Sequence, residues 1–122
     1  MDVDRHEERA RRVASNESVF RDVNERIEES AQRFGISARA TFLCECGDPS
    51  CTDPIELTVS EYEHVRAEPA RFALRAGHED LEVERVVETH EAYLVVEKLE
   101  GPGYDEAASR DPRGYLGDSP SQ

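Results

Sequence analysis

Three cysteines crowded into one short segment constrain this chain more than any other feature of its sequence. The segment Cys44–Cys51 reads CECGDPSC, and the chain has no cysteine outside it. It follows an apolar run and is rich in residues that favour turns. Because neighbouring thiolates repel one another unless a cation lies between them, the segment predicts most of a zinc site. The alternatives are small buried thiols without a metal, a redox-active thiol cluster and an iron–sulfur centre.

The spacing C-x-C-x4-C determines how the segment would reach a metal. Zinc is usually held by four ligands at tetrahedral corners. Cys44 and Cys46 lie two residues apart at the end of a predicted strand, so they project from the same face. We expect Gly47, which tolerates positive φ angles, and Asp48-Pro49 to turn the chain so that Cys51 approaches the same point. The cysteines therefore supply three predicted ligands.

The fourth ligand must come from elsewhere in the chain. The candidates are the histidines and two nearby carboxylates: His6, His64, His78, His90, Asp48 and Asp53. The first predicted strand runs toward the cysteines and the second runs away, so the third should return and end near Gly77 and His78. The fourth strand would then carry His90 to the opposite end. The topology favours His78, with a carboxylate or a water left as alternatives.

Hydrophobic patterning predicts an α+β fold. A long N-terminal helix covers residues 2–34 and ends at Gly35. Strands follow at 38–44 and 55–59, and a capping box at Ser60–Glu63 predicts a short helix over 61–67. A third strand contains Phe72 and Leu74, and residues 81–89 and 93–99 form a hairpin that turns near 90–92. Together the strands predict one small antiparallel sheet of about four or five strands.

Hydrophobic patterning and composition divide the chain into three parts. Residues 1–15 form a charged arm, either helical or disordered, and residues 16–100 form the zinc-binding domain. Residues 101–122 are rich in Gly, Pro, Ser and Asp, which predicts a disordered tail. Within the helix, Val13, Phe20, Ile27 and Phe34 recur every seven residues. This stripe either packs on the protein's own sheet or pairs with another chain.

Charge narrows the classes of partner. The net charge is −13, which would repel phosphate backbones and argues against nucleic acid, while it suits basic partners. No apolar run is long enough for a membrane span, and the charged N-terminus does not resemble a secretory signal. We therefore expect a cytoplasmic protein with reduced thiols and no membrane partner. Arginine outnumbers lysine fourteen to one, with Lys98 as the single lysine.

Five sequence segments make the chain resemble a group of small uncharacterised actinobacterial proteins. The segments are ESVFRDVNERIEESAQRFG, FLCECGDPSC, IELTVSEYEHVRAEPARF, GHED and YLVVEK, and the resemblance runs from about residue 16 to residue 98. The resemblance implies that Cys44, Cys46 and Cys51 pair with His78. It brings no activity with it. This chain has Ala76 before Gly77, where the group more often has a proline.

These observations predict a non-enzymatic protein with one structural Zn²⁺ per chain. Its function would be protein–protein interaction, with a partner or a second copy bound through the N-terminal helix. A redox or zinc sensor that regulates a partner, for example in transcription, is the second hypothesis. A zinc hydrolase is the third, and it would require a metal position held by water. The sequence contains no serine elbow, phosphate-binding glycine loop or H-E-x-x-H motif.

Overall fold

A computed structural model of the chain describes residues 2–35 and 38–113, with side chains from residue 4 onward. It contains three helices and five strands in an α+β arrangement, which confirms the predicted fold class. In chain order they are α1 (Asp2–Arg33), β1 (Ala40–Leu43), β2 (Pro54–Leu57), α2 (Val59–Arg66), β3 (Arg71–Leu74), β4 (Glu84–Thr89), β5 (Leu94–Lys98) and α3 (Pro102–Ser109).

The strands form two antiparallel sheets, whereas the sequence predicted one. β1 pairs with β2, with Phe42 opposite Ile55, and a second sheet has the order β3-β5-β4. The sheets stay separate because β1 ends at Leu43 and the chain enters the cysteine segment. Beyond that point the main-chain N–H of Glu45 still reaches the carbonyl of Ala73 in β3, at 2.9 Å. The cysteine segment therefore lies at the junction of the two sheets.

The apolar core fills the space between these sheets and the helices. Phe42 of β1 stacks on Tyr62 of α2 with ring centroids 4.6 Å apart, and both are fully buried. Further large members come from strands β2, β3 and β5: Ile55, Leu57, Phe72, Leu74, Leu94, Val95 and Val96. The alternating burial of β2 is the pattern that its sequence predicts.

Helix α2 begins two residues before the position that the sequence indicated. Thr58 is the N-cap: its hydroxyl accepts from the N–H of Glu61 at 3.0 Å, and its own N–H donates to the Glu61 carboxylate at 2.8 Å. The predicted capping box at Ser60–Glu63 is therefore wrong. Two overlapping S/T-x-x-E patterns are present, and the first is used because β2 ends at Leu57.

The buried face of α1 is largely polar. Apart from three alanines, it consists of charged, amide and hydroxyl residues spaced at helical intervals: Ala10, Ala14, Glu17, Ser18, Arg21, Asn24, Glu28 and Ala31. The guanidinium of Arg21 donates to the carbonyls of Pro69 at 2.8 Å and Ala107 at 2.9 Å, while its Nε has no hydrogen-bond partner among the described residues. It also lies 4.8 Å above the Phe72 ring.

A second polar contact joins α1 to the three-stranded sheet. The buried ammonium of Lys98 lies 2.8 Å from Glu17 of α1 and 3.1 Å from Glu84 of β4. Glu84 also accepts the N–H of Asp80 at 2.8 Å, whereas the Glu17 oxygens lack hydrogen-bond geometry to any described partner. Burial, and then the neighbouring Glu84 carboxylate, raise the pKa of Glu17 well above its usual value.

The predicted C-terminal tail is partly ordered, so the prediction of disorder is wrong for residues 102–109. They form α3, which begins with Pro102 after Gly101 and packs on α1 through the buried Ala107. Proline at the first helical position and a run of small residues favour this helix, although the composition resembles that of a linker. Beyond it, Asp111 pairs with the buried Arg66. Residues 114–122, the rest of the predicted tail, lie outside the described residues.

Candidate metal centre

The structure brings together the four residues that the sequence predicted as ligands. Cys44, Cys46 and Cys51 lie in the segment that joins β1 to β2, and His78 lies in the loop that follows β3. One donor atom from each of the four lies within 4.8 Å of the others. The three thiols are free and buried, and the histidine is half-buried. The group could therefore hold a metal ion.

The histidine ring has the orientation of a metal ligand. Its Nδ1 lies 3.5 Å from the Cys44 sulfur and 3.6 Å from the Cys51 sulfur. A regular tetrahedron with Zn–N of about 2.05 Å and Zn–S of about 2.3 Å has an N···S edge of about 3.6 Å. Both distances match this edge. The position of Nδ1 relative to these two sulfurs therefore suits a tetrahedral metal ion.

The other ring nitrogen of His78 has a partner of its own. Its Nε2 lies 3.4 Å from a carboxylate oxygen of Asp53. Histidines that bind metals commonly direct their second ring nitrogen at a carboxylate, which fixes the ring and its tautomer. Asp53, considered above as a ligand, therefore lies behind the histidine, where it would orient Nδ1 toward the thiols.

Burial makes the thiols of Cys44 and Cys46 poor anions on their own. Loss of solvent is the main cause that raises the pKa of Cys44, and it raises that of Cys46 to about 11. The neighbouring cysteines contribute to the raised pKa of Cys44, and the N–H of Arg75, which donates to its sulfur at 3.2 Å, opposes the shift. A bound cation would supply the positive charge that three adjacent thiolates need.

The turn that returns Cys51 to the cluster is built around Asp48. Its carbonyl accepts from the N–H of Cys51 at 3.0 Å, and its carboxylate accepts from the N–H and hydroxyl of Ser50. Gly47 has a different role from the expected one, because its φ is not positive. A Cβ there would lie 2.5 Å from a methyl of Val13, so glycine is required by the close approach of α1.

Glu45 is a residue of the site that the sequence analysis missed. It lies between two candidate ligands and is fully buried. Its carboxylate accepts from Asn24 of α1 at 2.9 Å, from the Tyr62 hydroxyl at 2.8 Å and from the N–H of Ala73 at 2.9 Å. It therefore fastens the cysteine segment to α1, α2 and β3. A glutamate in a turn-rich segment is usually exposed, so the sequence carries no signal for this.

The other histidines lie away from the cluster. His64 and His90 place their Nε2 atoms 2.7 Å and 2.8 Å from the two oxygens of Glu88. His90 also stacks on Tyr93. His6 is exposed on α1. Among the described histidines, His78 is the one whose ring reaches the cysteines.

Comparisons with protein-family models, curated proteins and solved structures find no match for this chain. No helix among the described residues is both long and apolar enough to cross a membrane. The features of the molecule that bear on its function are therefore the geometry of the four donors and the surface of α1.

Proposed function

We propose that the protein holds one Zn²⁺ through Cys44, Cys46, Cys51 and His78, and that the ion stabilises a non-enzymatic protein–protein interaction module. The observation that carries the metal assignment is the position of Nδ1, one tetrahedral edge from two sulfurs. Three sulfurs and one imidazole favour zinc over the oxygen-preferring ions magnesium and calcium.

The donor set supports a structural site rather than a catalytic one. Zinc that activates water needs a coordination position open to water, and here four protein side chains would fill the tetrahedron. The ion would tie the β1–β2 segment to the loop after β3, and this would supplement the small apolar core. The burial of all three thiols also argues against the redox sensor, because an oxidant must reach a thiolate to react with it.

The exposed side of α1 supports the interaction function. The apolar stripe with a period of seven lies beside the buried face of α1. Its members Phe20 and Ile27 are only half-buried. Phe34 is 76% exposed, and the neighbouring Val23 is 38% exposed. A contiguous apolar strip of this kind is typical of a protein-binding surface.

The metal half of the proposal is tested by native mass spectrometry of the reduced protein. We expect one zinc per chain, and we expect His78→Ala to weaken zinc binding at least tenfold. His90→Ala is the matched control and should bind zinc like the wild type. Chelation should lower the melting temperature of the wild type. A chain without zinc, or a zinc site unaffected by His78→Ala, would refute the assignment.

The interaction half is tested by photo-crosslinking in the source cells. A photoreactive amino acid at Val23 should yield adducts with a protein partner. The same amino acid at Val86, on β4, is the control because this side chain is 37% exposed, close to the value for Val23. Adducts from Val86 alone, or from neither position, would contradict an interaction through α1.

A further inference from the structure

Helix α1 carries three parallel rows of residues, each with a period of seven. The first row contributes to the buried face and contains Ala10, Glu17, Asn24 and Ala31. The second is the apolar stripe at 13, 20, 27 and 34, with Val23 beside it. The third lies on the other side of the stripe and contains Arg5, Arg12, Val19, Arg26 and Arg33, all exposed. We call the third row the arginine ridge.

An apolar groove lies between the C-terminal half of α1 and strand β1. It has a volume of ≈ 440 Å³ and is lined by Val23, Arg26, Ile27, Ser30, Ala31, Phe34, Ala40 and Thr41. Phe34, which follows the last residue of α1, is one of the lining residues. The exposed side of α1 between residues 19 and 34 would be about 24 Å long at 1.5 Å per residue, enough to contact roughly four turns of another helix.

On its α1 side, the charge beside this groove is opposite in sign to that of the whole chain, whereas on its β1 side the Glu56 carboxylate accepts from the Thr41 hydroxyl at 2.7 Å. Arg26 is the single charged side chain among the described residues that line it. Arg12 and Arg33 continue the same row along the helix, while the acidic Asp22 and Glu29 lie one row farther away. Although the net charge of −13 favours basic partners at long range, contacts in the groove itself would favour acidic ones.

We propose that the groove binds an amphipathic helix of a partner protein, with apolar residues facing the α1 stripe and acidic residues facing the arginine ridge. This inference rests on the proposed interaction function and names its partner chemistry. Binding of a helix in an apolar groove is a recurring mode of recognition, in which side chains at i, i+3, i+4 and i+7 provide the anchors. Charges flanking such a seam select the partner.

A second copy of the chain fits this surface poorly. In an antiparallel pair the two arginine ridges would face each other, which would place like charges in contact. In a parallel pair each ridge would need the opposite flank of its partner's α1. That flank contains Glu17 and Asn24, which are buried in the partner's own fold. The partner is therefore a different chain.

The test uses the full-length zinc-loaded protein and two synthetic 18-residue helical peptides. Both carry leucine at the seam positions; one has glutamate at the flanking positions, and the other has lysine. We expect fluorescence anisotropy at physiological salt to show at least tenfold tighter binding of the glutamate peptide. Arg26→Glu should reverse this preference. Arg11→Glu, an exposed substitution on the opposite side of α1, should preserve it.

Two further measurements keep the test informative. Val23→Asp should abolish binding of the glutamate peptide while the protein retains one zinc per chain and wild-type circular dichroism, because Val23 is on the surface. Sedimentation should show a monomer. Equal affinity for the two peptides, a preference for lysine, binding insensitive to Arg26→Glu, or a stable homodimer would each overturn the inference. If crosslinking at Val23 captures a partner without an acidic helix, this inference fails while the interaction function stands.

Discussion

The buried group formed by Glu17, Glu84 and Lys98 predicts which of its two carboxyl groups carries a proton. Two carboxylates share one ammonium inside the protein, so one negative charge is in excess if both ionise. The raised pKa of Glu17 indicates that this residue holds the extra proton. Glu17→Gln replaces a neutral acid with a neutral amide of the same shape. It should change the free energy of unfolding by less than about 1 kcal/mol at about pH 4, where Glu17 is protonated in both the folded and the unfolded chain, and it should not destabilise the fold at pH 7.

Removal of both carboxylates should have a much larger effect. Glu84→Gln alone leaves Glu17 available to take the negative charge. Its loss of unfolding free energy should therefore lie between those of Glu17→Gln and the double variant. The double variant leaves Lys98 buried without a counter-ion, a change that typically costs about 3–5 kcal/mol. For a chain of this size the melting temperature would fall by roughly 10–20 °C. The loss of unfolding free energy in the double variant should exceed the sum of the losses in the two single variants by at least about 1 kcal/mol.

The pH dependence tests the same reasoning independently. Because folding raises the pKa of Glu17, the folded state keeps a proton that the unfolded state releases above about pH 4.3. The stability that protonated Glu17 contributes is complete below that pH and falls as the pH rises toward the folded pKa. The wild type should therefore lose stability relative to Glu17→Gln as the pH increases from about 5 to 8.

Urea denaturation of the four zinc-saturated proteins, followed by circular dichroism, measures all of these quantities. The comparison with Glu17→Gln cancels the pH dependence of metal binding, which the two proteins share. A Glu17→Gln variant destabilised by about 3 kcal/mol or more at pH 7 would refute the reasoning, because it would mean that Glu17 acts as the charged partner. The reasoning would also be refuted if the loss of unfolding free energy in the double variant equalled the sum of the losses in the single variants.

Three further predictions follow from individual contacts. Gly47→Ala should destabilise the fold by about 1–3 kcal/mol, because its Cβ would collide with Val13; Val13→Ala in the same chain should recover part of the loss in urea denaturation. A chain that ends at Glu100 should lose at least about 3 kcal/mol in the same assay, because it lacks α3 and the carboxylate that pairs with the buried Arg66. Asp53→Asn should weaken zinc binding about tenfold in a chelator competition, because the amide orients the histidine ring less strongly.

Each of these has an outcome that contradicts it. Wild-type stability of Gly47→Ala would mean that α1 does not approach the cysteine segment as closely as described. Unchanged unfolding of the shortened chain would show that α3 contributes nothing to the fold. Equal zinc affinity of Asp53→Asn would remove the carboxylate from the site, and Asp48→Asn, in the neighbouring turn, serves as the comparison for a nearby loss of charge.

Local patterns in the sequence were sufficient for the elements other than α3 and for the candidate ligand cluster. Alternation predicted the buried side of β2, and the end of α1 was predicted from Gly35, whose φ is +69°. The cysteine spacing and the order of the strands pointed to His78 as the histidine nearest to the thiols. These features depend on neighbours along the chain or on strand direction, both of which a sequence displays directly.

The tertiary structure decided what lies against each element. It buried Glu17, Arg21 and Glu45, which any hydropathy pattern assigns to the surface, because partners distant in the sequence lie beside them: Lys98 beside Glu17, and hydrogen-bond acceptors or donors beside the other two. It ordered residues 102–109 through contact with α1 and left part of the apolar stripe exposed. Burial of a polar side chain is favourable only when its partner is in place, and the partner's position is a property of the whole fold.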